Sequence, residues 1–317
     1  MGVLFGPVAS RRLGRSLGID VVAPKTCTYD CVYCESGRTD RLTLKRLKFV
    51  EPAAVLEALE DYFCREGATA DALTFSSAGE PTLYEGLGEL IPAIKEHFPS
   101  LPLTVLTNGS LLWDTAVRRE LRAADRVVPS LDAVTDTTFR RVNRPHPELE
   151  LARVLEGLVA FRREYAGEYH LEVLLVAGVN DHPDELGKFR PVIERIRPDR
   201  VELNTVVRPP AEKGVRGLSR SQLEEAARFF PSAFTRLIAS FDGPPRVRAS
   251  RRLEKRLVEL LQRRPSTAED LAASLEVSRE DVTAALGRLE KNACIRCVQF
   301  SGRSFYVPGE RATLQRE

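Results

Sequence analysis

No apolar stretch in the 317 residues approaches the roughly 20 residues that a membrane-crossing helix requires. The first residues, MGVLFGPVASRRLG, have no long apolar segment ending in a small-residue cleavage motif, so no secretory signal is read there. No internal repeat and no low-complexity tract is present. Charge of one sign is also missing, because 47 Lys and Arg against 45 Asp and Glu leave a formal charge of +2. A wholly polybasic or polyacidic protein is therefore excluded. Cysteine is scarce, at six residues, and none precedes Cys27. These absences point to a soluble cytoplasmic chain, and in a reducing compartment cysteines serve metal or redox chemistry rather than structural disulfides.

What is present is an ordinary globular composition, with 43% hydrophobic and 29% charged residues. The charge is unevenly distributed. From Arg246 to Glu317 there are 15 basic and 10 acidic side chains, so the C-terminal end is the basic one. Strand-like segments alternate with helical ones about six times up to LNTVV. SLGIDVVA, DALTF, LPLTV, DRVVP, YHLEVLLVAGVN and DRVELNTVV read as strands. EPAAVLEALEDYFCREG, GLGELIPAIKEHF (compromised by Pro92), TAVRRELRAA, LARVLEGLVAFRREY and DELGKFRPVIERI read as helices. Alternation on this scale predicts an α/β fold, a partial (β/α)6 TIM-like barrel, with a doubly wound open sheet as the alternative. GEPT, TNG, SLDA and LNT each fall at the C-terminal end of a predicted strand, the edge that carries active sites in α/β barrels.

FDGPPRVRAS marks a boundary. The expected division is a barrel over 1–243, a linker over 244–250, a small winged helix-turn-helix domain over 251–310 and a tail over 311–317. The small domain reads as three helices and a β-hairpin. Capping boxes are expected at Ser266/Glu269 and Ser278/Asp281, and a Ser-Gly turn inside ACIRCVQFSGRSFYV.

Half of the cysteines fall within eight residues, CTYDCVYC, at Cys27, Cys31 and Cys34. Three thiolates from one loop suit three irons of a [4Fe–4S] cluster and leave the fourth iron open to bind something else. A structural zinc site would need a fourth Cys or His nearby, and the nearest histidine is His97.

This C-x3-C-x2-C loop, with an aromatic Tyr33 before its last cysteine, resembles the signature of the radical S-adenosylmethionine (SAM) superfamily. The resemblance implies a [4Fe–4S] cluster held by Cys27, Cys31 and Cys34, and SAM chelated to the fourth iron. It also implies a 5′-deoxyadenosyl radical that abstracts hydrogen from a substrate, and a small flavodoxin- or ferredoxin-like electron donor. It places Tyr33 near the adenine. Gly79 and Glu80 of SAGEP go to the methionine ammonium, although Ala78 stands where the family often has glycine. Asn108, Ser130 and Asp132 go to the carboxylate and ribose, and Asn204 to the adenine. The runs FGPVASRRLGRSLGID, SAGEPTL, SLDA and LNTVVRPPAEKG further resemble the wyosine-synthase-like branch, which is related to the molybdenum-cofactor A proteins. The chain departs from that branch in having no upstream cysteines for a second cluster.

Arg11, Arg12 and Arg15 are read either as contacts to a substrate phosphate or carboxylate or as salt bridges across the N-terminal edge of the barrel, Arg208 is a further candidate substrate contact, and Lys25 could tune the cluster or be solvated. The C-x2-C of Cys294 and Cys297 invites a metal or redox reading, but three-residue spacing on a strand points the two to opposite faces and disfavours a shared ligand, so core packing is expected for both. Arg288, Lys291, Arg296 and Arg303 would lie on a recognition helix and wing. The expected substrate is a tRNA or other nucleic-acid base. A peptide or protein substrate, and an iron–sulfur redox-sensing nucleic-acid regulator, are the alternatives.

Overall fold

The computed structural model describes residues 2–10, 13–65, 69–239, 253–275 and 277–309. The predicted linker at 244–250, the tail at 311–317, and Arg11 and Arg12 lie outside the described residues. The chain opens with β1 (Leu4–Ser10) and β2 (Gly14–Ile19), followed by a two-residue ladder, β3 (Thr26–Cys27) with β4 (Arg41–Leu42). Then come α1 (Pro52–Phe63), β5 (Ala72–Phe75), α2 (Leu87–His97), β6 (Leu103–Thr107), α3 (Thr115–Leu121), β7 (Arg126–Pro129), α4 (Asp136–Val142) and α5 (Leu151–Glu164). They are followed by β8 (Glu168–Leu175), α6 (Pro183–Leu186), α7 (Phe189–Ile196), β9 (Arg200–Thr205), α8 (Arg220–Ala226) and β10 (Thr235–Leu237). The sheet order is β1-β2-β5-β6-β7-β8-β9-β10; β1 is antiparallel to β2 and every later pair is parallel. The six expected strands are all there. The antiparallel β1, the short edge strand β10 and the two-turn helices α4 and α8 are additions. Each is too short, or too broken by Gly and Pro, to show a period.

Strand alternation divides the sheet into two unlike faces. Leu17, Ile19, Leu73, Phe75, Leu103, Val105, Val127, Leu171, Val173, Val201 and Leu203 are almost fully buried in the main core, with Val55, Leu59, Ile91, Ile94, Leu121, Leu158, Phe161 and Ile193 from the helices. Each such side chain contributes roughly 1.5–3 kcal/mol by leaving water. Several of the intervening positions are polar, and pairs of them meet across the strands. Ser16 shares a hydrogen bond with Thr74 (2.5 Å), His170 Nδ1 lies 3.1 Å from Glu202 Oε1, and Asn204 Nδ2 donates to Glu172 Oε1 at 2.9 Å.

Pro92 does not compromise its helix: α2 runs unbroken from Leu87 to His97. Its buried face of Leu87, Leu90, Ile91 and Ile94 holds it in place.

The C-terminal unit has α9 (Leu253–Leu261), α10 (Ala268–Leu275), α11 (Arg279–Lys291) and the antiparallel hairpin β11 (Ile295–Phe300) and β12 (Arg303–Pro308). Leu257, Leu261, Leu271, Val282, Leu286 and Ile295 form its own core, against which Phe5 and Val8 of β1 also pack. Ser278 caps α11 as expected, accepting from Asp281 N at 3.0 Å. The cap of α10 falls one residue later than expected, at Thr267, whose Oγ1 accepts from Asp270 N at 3.1 Å. Cys294 is partly buried against this core, whereas Cys297 is exposed on β11, so core packing does not hold for Cys297. Among the described residues no helix is long and apolar enough to cross a membrane.

Candidate functional site

The cysteine loop leaves β2 and settles on the C-terminal rim of the parallel strands. Its entry is held by the β3–β4 ladder and by Thr43 N, which donates to Cys27 O at 2.9 Å. Cys34 N closes a turn onto Cys31 O (3.1 Å), and Gly37, at φ 89°, turns the chain back with its N–H on Cys34 O at 3.2 Å. The loop is pinned from the side by the end of α4. Asp30 N donates to Asn143 O (3.0 Å), Val32 N to Val142 O (3.0 Å) and His146 N to Thr28 O (2.9 Å).

Three rim motifs support this loop. Gly79 faces the loop backbone so closely that a Cβ there would stand 2.2 Å from Thr26 O. Glu80 is buried and accepts four hydrogen bonds. Its Oε1 accepts from Thr82 N (3.0 Å), Thr82 Oγ1 (2.7 Å) and Thr107 Oγ1 (2.6 Å), and its Oε2 from Asn108 N (2.7 Å). It therefore ties the ends of β5 and β6 together. Asn108 extends its amide to Thr28 Oγ1 at 2.7 Å and to Cys27 Sγ at 3.5 Å.

Asp132 is a second hub. Oδ2 accepts from Tyr33 Oη (2.5 Å) and Asn143 Nδ2 (2.7 Å), and Oδ1 from Leu174 N (2.9 Å). Asn143 Nδ2 also lies 3.4 Å from Cys31 Sγ. Ser130 N donates to Thr107 O at 3.0 Å, placing that residue between the two hubs. Asn204 lies on β9 beside Glu172. Arg208, 4% exposed, donates from Nη1 to Glu35 Oε1 at 3.2 Å, directly after Cys34.

The structure thus brings Cys27, Cys31, Cys34, Tyr33, Gly79, Glu80, Asn108, Ser130 and Asp132 to one rim, with Asn204 and Arg208 on its β9 side. Arg15 lies elsewhere, at the entry of β2, on Asp71 Oδ1 (3.1 Å) and Thr69 Oγ1 (2.6 Å). Asn143 and Thr28 were not singled out from sequence. Asn143 stands in VNRP after a helix too short to detect, and Thr28 is hidden among the cysteines.

Burial dominates the electrostatics. It pushes the Cys27 thiol up to about 12, with Glu80 adding to the rise. Cys31 and Cys34 are raised for the same first reason, with Asp132 adding at Cys31. Burial lifts the Asp132 carboxyl to about 6 against its three hydrogen bonds, and it raises Glu80 against four. For Arg208, burial would lower the guanidinium, but Glu35 and Asp270 outweigh it and the net shift is upward. Thiols and carboxylates crowded together on one rim suit a cationic or metal-bearing occupant. The amide N–H groups aimed at Cys27 and Cys31 favour thiolate. Among the described residues, no three His, Cys, Asp or Glu side chains converge on a single ion. One tetrahedral metal would require that convergence; a multi-iron cluster, taking one thiolate per iron, would not.

An α/β parallel sheet with a three-cysteine loop on its C-terminal rim defines a radical SAM enzyme. Residues 21–189 match the Radical SAM superfamily model, and the chain belongs to that superfamily, whose cofactors are a [4Fe–4S] cluster and SAM. The chain is 33% identical over 275 residues to a UPF0026 protein of Helicobacter pylori, covering 86% of this chain and 88% of that one. It is also 33% identical over 295 residues to a Brachyspira hyodysenteriae protein named GTPase Obg, covering 92% of this chain but only 43% of that protein's length. Among solved structures, a radical SAM methyltransferase from Sphaerobacter thermophilus shares the fold, with TM-score 0.54, 18% identity and coverage of 72% and 67%.

Proposed function

We propose that Cys27, Cys31 and Cys34 each give a thiolate to one iron of the cluster, and that Tyr33, Gly79, Glu80, Asn108, Ser130, Asp132 and Asn204 form the seat of SAM. The observation that carries this is the meeting of the three cysteines and the polar strand ends on one rim, with Asn108 and Asn143 amides directed at two of the sulfurs. When bound and reduced, such a cluster cleaves SAM and supplies a 5′-deoxyadenosyl radical that removes a hydrogen atom from the substrate. The residues of the chain do the holding. Gly79 admits the loop backbone, Glu80 locks the strand ends and keeps Oε2, with a single chain donor, facing an ammonium, and Asp132 fixes the Tyr33 ring beside Cys34.

The substrate we infer is a base in tRNA or another nucleic acid. Support comes from the basic C-terminal unit, read as a winged helix-turn-helix. Lys291, Arg296 and Arg303 are exposed on α11 and the hairpin, while Arg288 is tied to Glu254 at 2.6 Å. A small electron carrier would reduce the cluster.

The test is anaerobic. The reconstituted chain, reduced with dithionite and given SAM, should form 5′-deoxyadenosine, and Cys31→Ala should form none. Added tRNA should raise the yield and acquire a modified nucleoside. A brown protein that neither binds nor cleaves SAM would overturn the enzymatic reading. A yield raised by peptide and not by tRNA would overturn the substrate.

A further inference from the structure

The helices α5 and α7 pack on each other, and each ends just before the strand that follows it, β8 at Glu168 and β9 at Arg200. Their C-terminal ends therefore stand at the N-terminal edge of the parallel sheet, opposite the rim that carries the cysteines. Between them lies a cavity of about 640 Å³, within the roughly 300–1,000 Å³ of small-molecule sites. Four arginines line it, Arg162, Arg163, Arg195 and Arg197, over a floor that includes Val159, Tyr165 and Ile196. A single carboxylate, Glu194, shares the wall, so four cations against one anion leave the lining at +3.

Basic side chains at helix C-termini often serve the fold by meeting free carbonyls. Arg162 does so. Its Nε donates to Arg197 O at 2.9 Å, its Nη1 to Tyr165 O at 3.4 Å and its Nη2 to Asp199 Oδ1 at 2.8 Å. The other three do not. Arg163, Arg195 and Arg197 are exposed, and among the described residues none of their side chains has a hydrogen bond or an ion pair. Arg197 also caps α7 in the left-handed conformation, at φ 57° and ψ 56°, where glycine would escape the crowding that an L side chain meets. The backbone gains nothing from an arginine at that position, whereas the cavity gains a guanidinium.

We propose that this cavity is a second ligand site, which binds a small phosphate-bearing anion through Arg163, Arg195 and Arg197. Guanidinium forks match phosphate oxygens in pairs, and three of them here are not engaged by the protein. The apolar floor lowers the local dielectric and strengthens the attraction. A net charge of +3 suits a diphosphate or triphosphate better than a single carboxylate. The cations share one concave site, which favours a free nucleotide or polyphosphate. A nucleic-acid backbone would call for cations spread along a track. None of these residues belongs to the cysteine rim, so the inference stands apart from the radical SAM reading.

The experiment is a calorimetric titration of the full chain with pyrophosphate and with ATP, both free of divalent metal. The chain is reconstituted anaerobically and saturated with SAM, so that the rim is occupied. Each probe should bind at one site per chain, and pyrophosphate should displace ATP. Affinity should fall about tenfold or more between about 0.02 and about 0.2 M ionic strength. Arg163→Gln with Arg195→Gln should weaken both probes about tenfold or more. Arg197→Gly should weaken both about fivefold or more while Tm stays at or above that of the parent, because glycine accepts the left-handed backbone. Arg41→Gln with Lys45→Gln removes two exposed cations beside the cysteine loop and should change affinity by no more than about twofold. If the paired cavity variant does not fold, Arg197→Gly decides alone. No saturable binding by the parent, or equal losses in the cavity and control variants, overturns the proposal. So does binding that appears only when SAM is left out, which would put the anion at the rim. A tRNA affinity that falls in the cavity variants, with neither small probe bound, overturns it too and makes the surface a backbone contact. A chain that binds no SAM counts against the radical SAM reading alone, and the cavity variants still decide.

Discussion

Replacing Gly79 with alanine should detach the cysteine loop from the rim. The new Cβ would stand 2.2 Å from Thr26 O, where real Cβ atoms essentially never come within 3.0 Å, so that carbonyl must retreat by about 0.8 Å. Thr26 O accepts from Glu80 N at 3.1 Å, and Lys25 N next to it donates to Ala78 O at 2.5 Å. A retreat of that size stretches the first bond to about 3.9 Å, beyond hydrogen-bonding range. Losing one such bond costs about 1 kcal/mol, and overpacking adds about 1–3 kcal/mol, for a total of roughly 2–4 kcal/mol. In a domain of this size that is a Tm lower by roughly 4–16 °C. The disturbed residue adjoins Cys27, so iron and sulfide per chain after anaerobic reconstitution should fall well below the parent. Gly287 is the control. Its Cβ would meet nothing within 4 Å in α11, so Gly287→Ala should stabilise by about 0.5–1 kcal/mol and leave the iron content alone. A Gly79→Ala chain with parental Tm and full iron content would refute the steric argument.

Two further outcomes follow from the same geometry. Burial raises Asp132 from 3.8 to about 6 in the folded chain, so folding favours its protonated form. Asp132 should therefore contribute a fall in the stability of the cluster-free protein of about 3 kcal/mol as pH rises from about 4 through about 6, with Glu80, also raised by burial, adding a fall of the same sign. Asp132→Asn should remove its share and leave a shallower slope in urea unfolding, and a slope of equal size in the variant would show that Asp132 does not contribute. Ser278→Ala removes the cap of α11 and should cost about 0.5–2 kcal/mol, read as a lower Tm, with 5′-deoxyadenosine formation unchanged. A matching loss of SAM cleavage would mean that α11 supports the active rim.

Much of this protein is readable without a fold. Three cysteines in eight residues, with no histidine nearby, limit the metal chemistry because ligand type and spacing are local properties. Strand–helix alternation fixes the class of architecture because apolar period is local too. The polar motifs GEPT, TNG, SLDA and LNT declare themselves by standing where strands end. Other features depend on contacts between residues far apart in the chain. Glu80 became a buried tie between β5 and β6 only through Thr107 and Asn108. Asn143, more than 100 residues from Cys31, became its neighbour because α4 folds back over the loop. Cys297 left the core because the hairpin turned it outward, and Arg15 moved to the far end of the sheet because Asp71 was waiting there. Composition and spacing determine which chemistry the chain can support, since they select donor atoms. Only tertiary packing decides which donors meet and how deeply they are buried, since those depend on distances that sequence separation does not encode.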